Sequence, residues 1–238
     1  MSDFISATND VFEVIYGARA QRHLRPDAVP EELITRVIDA ATRAPSAGNA
    51  QNWHFIVIRD AEQRRRIGSL YRKASDIAEA VYKARSRPAH LTEGQWQRML
   101  TAGAHLWEHL GGAPVLLVPC LHQRDLPARD ALDPAWRDHY DAERIYIERI
   151  RGASIYPAVQ NIILTCRALG LGTVITTNHL RIEAEFKAIL GIPEDVDTFA
   201  LMPIGWPEGH FGHVNRRPLR EVAHADRWSE AWPGLMPT

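Results

Sequence analysis

Residues 44–55 read APSAGNAQNWHF, a run that joins a helical pattern to a strand pattern through small and amide side chains. Pro45 keeps Ala44 out of comfortable helical geometry and so ends the helix before it. Ser46, Gly48, Asn49 and Gln51 then offer a hydroxyl, bare backbone and two amides. These are uncharged donors and acceptors suited to the edge of a flat polar ring, and Gly48 allows a ligand close to the main chain. The plain alternative is a polar turn at a helix C-terminus.

Upstream, Pro30 at a first helical position, Glu31 and Glu32 at the positive helix end, and Leu33, Ile34, Val37, Ile38 and Ala41 on one face specify an amphipathic helix that delivers this loop. Downstream, residues 53–59 are apolar on both faces, as in an interior strand. Before the helix, Phe12, Val14, Ile15 and Tyr16 form a short apolar stripe ending near Arg19 and Arg22, whose guanidinium groups match phosphate geometry or simply complement a helix end.

Residues 61–84 form a basic helical segment with Arg64, Arg65 and Arg66 on a solvated face. Residues 85–97, with Pro88, Gly94 and Trp96, read as an irregular excursion ahead of a helix at 99–110. Residues 113–120, APVLLVPC, make a second buried strand. The charged stretch 121–144 reads as a loop insertion, and it and 85–97 are candidates for shaping a substrate channel. Residues 145–169 give the longest helical pattern, apolar nearly all round from Ile155, so it is either a core helix or a subunit interface. A strand at 173–177, a short helix at 182–190, a strand at 198–206 and an aperiodic tail at 209–238 follow, with no repeat and no second domain.

With 45% hydrophobic and 24% charged residues over 238 positions, the chain fits one globular domain with a substantial core. A net charge of −1 and a pI near 6.8 give no electrostatic basis for nucleic acid or an acidic membrane, which leaves small molecules. Cys120 and Cys166 lie in separate apolar runs and read as buried thiols of a reducing compartment. Residues 1–10 lack the pattern of a secretory leader, and the longest apolar run, 111–121, is about half of a roughly 20-residue membrane span. The expected location is cytoplasmic.

Arg19-x-x-Arg22, the helix opened by Val29-Pro30-Glu31-Glu32 and the 44–55 run are followed, in order, by Gln160-Asn161, Ala168-Leu169-Gly170-Leu171-Gly172-Thr173, Gly191-Ile192-Pro193-Glu194-Asp195, Pro203-Ile204-Gly205 and Arg216-Arg217-Pro218-Leu219. This ordered set resembles the FMN-dependent nitroreductase family over nearly the whole chain. The resemblance implies an α+β nitroreductase-like fold, a small mixed or antiparallel sheet flanked by helices, in an intertwined homodimer whose C-terminal tail reaches across the partner. It implies FMN as cofactor, NADH or NADPH as reductant, and ping-pong transfer to a small aromatic acceptor such as a nitroaromatic or quinone. By position, Arg19 and Arg216 fall near the phosphate, Arg22 at the pyrimidine edge of the ring, and Ser46, Asn49 and Gln51 near the isoalloxazine and ribityl groups. Gln21, Pro45 and Arg217 complete the cofactor set. Thr177 and Asn178 stand where several relatives have Glu-Gly beside the flavin. Ala18 and Ala20 replace an arginine and a serine of the family, and Asn52 replaces a proline.

The sequence offers no nucleophile, base and orienter set, so the cofactor would carry the chemistry. Without a glycine-rich dinucleotide fingerprint, the nicotinamide would borrow the acceptor's place over the flavin. Other readings are a flavin-binding protein without turnover and a flavin-fragmenting or dehalogenating family member. A remote one is a zinc hydrolase, since His105, Glu108 and His109 match His-x-x-Glu-His; no third ligand is indicated, and Gly111-Gly112 follows at once, so the histidines would instead cap the last helical turn.

Overall fold

The computed structural model describes residues 7–123 and 126–234. Residues 1–6, where the absence of a secretory leader is expected, Arg124 and Asp125 of the expected loop and the last four residues of the tail lie outside that description. Strands β1 (Trp53–Ile58), β2 (Val115–His122), β3 (Gly172–Thr173), β4 (Val196–Thr198) and β5 (Met202–Gly205) form one antiparallel sheet. β2 is its axis. One edge pairs with β1, with Trp53 opposite Leu121 and Ile58 opposite Leu116. The other pairs first with β5, Val115 opposite Ile204, and then with β4, Cys120 opposite Thr198. β3 adds outside β5. Pro119 sits where β2 changes neighbours, a position at which a strand tolerates a missing donor, and its carbonyl accepts from Phe199 N at 3.1 Å.

Successive side chains of a strand face opposite ways, so β2 feeds two cores. Val115, Leu117 and Leu121 join one, and Leu116, Val118 and Cys120 the other. The helices are α1 (Val11–Gly17), α2 (Glu31–Ala41), α3 (Ala61–Ala84), α4 (Glu93–His109), α5 (Tyr140–Ile150), α6 (Tyr156–Ala168) and α7 (Glu183–Leu190). α2 and α6 cover the first face, and α3, α4 and α7 the second. The end of α4 reaches α3 through bare backbone, since a Cβ on Gly68 would lie 2.9 Å from Gly111 Cα.

Several elements depart from the sequence pattern for identifiable reasons. α4 starts at Glu93, six residues before the expected 99, because Thr92 and Gln95 form a capping box with bonds of 3.3 and 2.8 Å. The pattern at 145–169 breaks into α5, a 3-10 turn at Arg151–Ser154 and α6, since Pro157 lacks the N–H a continuous helix requires. The longest helix is instead α3. The strand expected at 198–206 divides into β4 and β5 opposite Pro119, and that at 173–177 keeps only β3 and an isolated bridge from Thr176 to Leu201. Within 121–144, β2 runs on to His122, two 3-10 turns follow, and α5 begins at Tyr140. β1 is an edge strand among the described residues, not an interior one. Phe55 and Val57 pack on the first core and Ile56 and Ile58 on the second, so apolarity on both faces reports the helices above and below, not a lateral neighbour.

Ile155, just before α6, and Val159 and Ile162 within it are covered within this chain, whereas Ile163 and Leu164 are half-buried and Tyr156 is exposed. Exposed apolar groups include Phe12 and Tyr16 on α1 and Ile145 and Tyr146 on α5, along with Ile77 on α3 and Trp228 in the tail. Both cysteines are free and buried; burial raises both thiols, Cys120 to about 12. No helix among the described residues is long and apolar enough to cross a membrane.

His179 is fully buried against Phe186, ring centroids 4.8 Å apart, with neither ring nitrogen hydrogen-bonded. Burial pushes its pKa down to about 4, against the opposing pull of Glu183. The unfolded chain binds this proton from about pH 6.5 downward, the folded chain only near pH 4. The resulting stability is therefore fully present above pH 6.5 and is lost as pH falls toward 4, by on the order of 3 kcal/mol. Urea unfolding at pH 7.5 and 4.5 should show a smaller loss for His179→Leu than for the parent; equal losses would contradict this account.

Candidate functional site

A cavity of about 290 Å³ opens on the second face of the sheet. Met99, Leu100, Gly103, Leu106 and Trp107 line it from α4, at the spacing of one helix face. Tyr71 and Tyr82 come from α3, and Val174 to Asn178 from the chain after β3. The Tyr71 hydroxyl lies 2.7 Å from Thr176 Oγ1 and receives a longer contact, 3.5 Å, from Asn178 Nδ2. Burial raises the Tyr71 pKa, so it remains a neutral phenol. Arg181 donates to the side-chain amide oxygen Oδ1 of Asn178.

Among the described residues, Arg22 is the only charged one lining this cavity. Its segment is pinned beside β3 and β5: Gln21 N donates to Thr173 O at 2.9 Å and Arg25 N to Trp206 O at 2.8 Å. Alternation along that extended segment turns Gln21 inward, where its Nε2 is buried without a partner, and sends Arg22 to the cavity. Burial lowers the Arg22 pKa; the nearby Tyr71 and Tyr82 oppose the shift, and Arg19 adds to it. Among the described residues, no carboxylate or carbonyl is bonded to Arg22.

The other expected residues lie outside the cavity. The 44–55 loop makes a 3-10 turn at Ala47–Asn49 in which Gly48, Asn49 and Gln51 have φ of 61°, 51° and 49°. The two non-glycine residues are in a left-handed region that costs about 1–3 kcal/mol each. Ser46 Oγ accepts from Gln51 N at 3.0 Å, Asn49 Oδ1 from Gln51 Nε2 at 3.0 Å, and Ser154 Oγ from Ala47 N at 3.1 Å. Pro45, Asn49 and Gln51 are exposed.

The tail returns along α1, with Val214 N donating to Tyr16 O at 3.0 Å and the Phe211 ring 4.4 Å from Arg167 Cζ. Arg167 also donates to Glu13 at 2.8 Å, tying α1, α6 and the tail together. Arg19 lies beside Gly212 of this tail. Arg216 bonds only the neighbouring Asn215 carbonyl, whereas Arg217 is committed to Glu221 at 3.0 Å. Arg19 and Arg216 thus have no carboxylate partner among the described residues, and Arg217 does.

The structure therefore gathers Arg22, Thr177 and Asn178 at one cavity, with Gln21 adjoining. It adds Tyr71, Tyr82 and the α4 face, which the sequence reading missed. Their signal was present in the apolar spacing of Ile67, Leu70, Tyr71, Ala74 and Ala78 within a segment that its arginines mark as solvated. The zinc pattern does not assemble. His105 stacks on His23 at 3.6 Å and lies 4.4 Å from His109, while Glu108 is held by Arg72 at 2.5 Å. No group of three metal-binding side chains occurs among the described residues.

An antiparallel sheet between two helical layers makes this an α+β fold, with a cavity on the second face beside Arg22, which has no carboxylate partner among the described residues. The chain belongs to the nitroreductase family, which it matches over residues 15–206. It is 29% identical over 222 residues to the NADH dehydrogenase of Thermus thermophilus, covering 86% of this chain and 90% of that protein. It is 24% identical over 224 residues to human iodotyrosine deiodinase 1, covering 92% and 70%. The NADPH:FMN oxidoreductase of Vibrio harveyi, solved in complex with NAD+, superposes with a TM-score of 0.63 at 19% identity, covering 93% of this chain and 79% of that one.

Tyr71→Phe removes a buried hydroxyl pair and should lower stability by about 1 kcal/mol. Thr176→Val should do the same, and the double variant should lose less than the sum. Strict additivity in urea titrations would show that the two hydroxyls do not interact.

Proposed function

We propose that the protein is an FMN-dependent oxidoreductase taking hydride from NADH or NADPH and reducing a nitroaromatic, quinone or similar acceptor by a ping-pong mechanism. The observation that carries this reading is Arg22, a desolvated guanidinium in a cavity without an anion to meet it. Such a charge is stabilised by a ligand with an electron-rich edge. Arg19 and Arg216, without carboxylate partners among the described residues, also fit an anionic group.

FMN, when bound, supplies the two-electron chemistry that the side chains lack. Arg22 would sit at the pyrimidine edge, Thr177 and Asn178 beside the ring, and Arg19 and Arg216 at the phosphate. The loop carrying Pro45, Ser46, Asn49 and Gln51, outside the cavity of its own chain, would meet the cofactor of a partner subunit in a homodimer. Exposed apolar residues on α1 and α5 support that assembly. The tyrosines and Trp107 would hold the acceptor ring and exclude water.

The purified protein should be yellow, contain FMN in stoichiometric amount, bleach on anaerobic addition of NADH and keep its activity in a chelator. A colourless protein that cannot be reconstituted with FMN would sink the reading; FMN binding without bleaching would instead favour a binding protein without turnover. The likeness to iodotyrosine deiodinase favours reductive dehalogenation as a second reading, and iodide release from an iodophenol would identify it.

The two arginines should separate. Arg216→Ala should weaken FMN binding and barely move its potential, because phosphate charge is unchanged during turnover. Arg22→Gln should lower the two-electron potential by roughly 30 to 60 mV, the equivalent of one charge-assisted hydrogen bond made mainly in the reduced state. Redox titration against a reference dye measures both, and an unmoved potential for Arg22→Gln would remove Arg22 from that place.

A further inference from the structure

His105 and His109 are left without a role once the metal pattern is set aside, and they stand in a cluster. The His105 ring stacks on His23 with centroids 3.6 Å and planes 22° apart, and the His109 ring follows at 4.4 Å. Three imidazoles thus join α4 to the extended segment beside β3 and β5. His105 and His109 line a second opening of about 210 Å³, and Arg22 and Leu106 line both this opening and the cavity, forming the wall between them.

The charges that face His105 are unbalanced. From the extended segment come His23 and Arg22, from its own helix His109, and from the chain after β5 Glu208, whose Oε2 is 3.9 Å from His23 Nδ1. Glu108 is turned away to Arg72, and Arg64 donates to the Ala113 carbonyl at the rim. One carboxylate therefore faces three imidazoles and a guanidinium. Neutral rings attract one another when stacked, whereas like charges at this separation repel. Burial holds His105 below the ordinary imidazole range, and His23 and His109 hold it lower still, against the pull of Glu208.

We propose that His23, His105 and His109 form a pH-sensitive clasp: neutral rings hold α4 against the 21–25 segment, and their protonation loosens the wall that Arg22 and Leu106 give the cavity. A released His105 takes up its proton near pH 6.5, so the clasp is intact above about that value and weakens as pH falls below it. Leu106, Trp107 and Leu110 keep the same turns of α4 in the core, so the loosening is local. The clasp is independent of what occupies the cavity.

Amide hydrogen exchange of the purified protein, corrected for the intrinsic effect of pH, reads the clasp directly. Between pH 6.5 and 5.5, protection over residues 103–110 should fall about threefold more than protection of α2, within the tenfold per pH unit that one extra proton allows. α2 lies on the other face of the sheet and reports any loss shared by the whole fold, that from His179 included. His105→Phe keeps a ring in the stack without its proton and should abolish the difference; His23→Phe makes the same test from the opposite side. Glu208→Gln removes the one carboxylate and should widen the difference, which a merely structural contact would not do. Unchanged protection of 103–110 in the parent, an equal fall in α2, a parent-like difference in both Phe variants or a narrower one in Glu208→Gln would overturn the proposal.

Discussion

β2 is buried along both faces, and the rest of the structure follows from where its alternate side chains go. Val115 and Leu117 commit one face to α2 and α6, and Leu116 and Val118 commit the other to α3, α4 and α7. Burying a side chain of this size stabilises by about 1.5–3 kcal/mol, so one polar substitution here would undermine the layer that its side chain faces. The cavity is part of the second layer. Tyr71, Leu106, Trp107 and Val174 belong to that core and also line the opening. The site is thus a region of the core left unfilled, and its shape is fixed by the same packing that holds the helices.

Electrostatics act on this cavity from one side. A cation removed from water without an anion is destabilising unless a ligand restores the lost interactions. Arg22 is held in that condition by backbone bonds of Gln21 and Arg25, not by any partner of its own side chain. Its direction is therefore set before any ligand arrives, which is the requirement for a preorganised charge at a site. The contrast with Arg217, neutralised by Glu221, shows why residue type alone ranks arginines poorly.

The two-faced strand and the bounds of α3 were legible because both depend on local pattern: a continuous apolar run and a long helical period. The division of 145–169 was written in Pro157 and hidden by the apolar spacing around it. The ring-lined cavity was not legible, because Tyr71 and Trp107 come together only when α3 and α4 pack beside each other. Spacing also misleads about direction. His105, Glu108 and His109 have the periodicity of a metal site, yet Glu108 turns to Arg72 and His105 to His23.

The 44–55 loop was the most informative stretch in sequence, and its structure sharpens the reason. Its amides are not spent on filling the cavity of their own chain. They are fixed at the surface in a conformation that places Asn49 and Gln51 in left-handed backbone. Strain of that kind persists when surrounding bonds over-determine it, and here Ser46, Asn49 and Ser154 provide those bonds. A rigid, outward-facing set of neutral donors and acceptors is available to a polar group outside the chain. In the proposed homodimer, the cavity of one subunit and the loop of the other would together make one site.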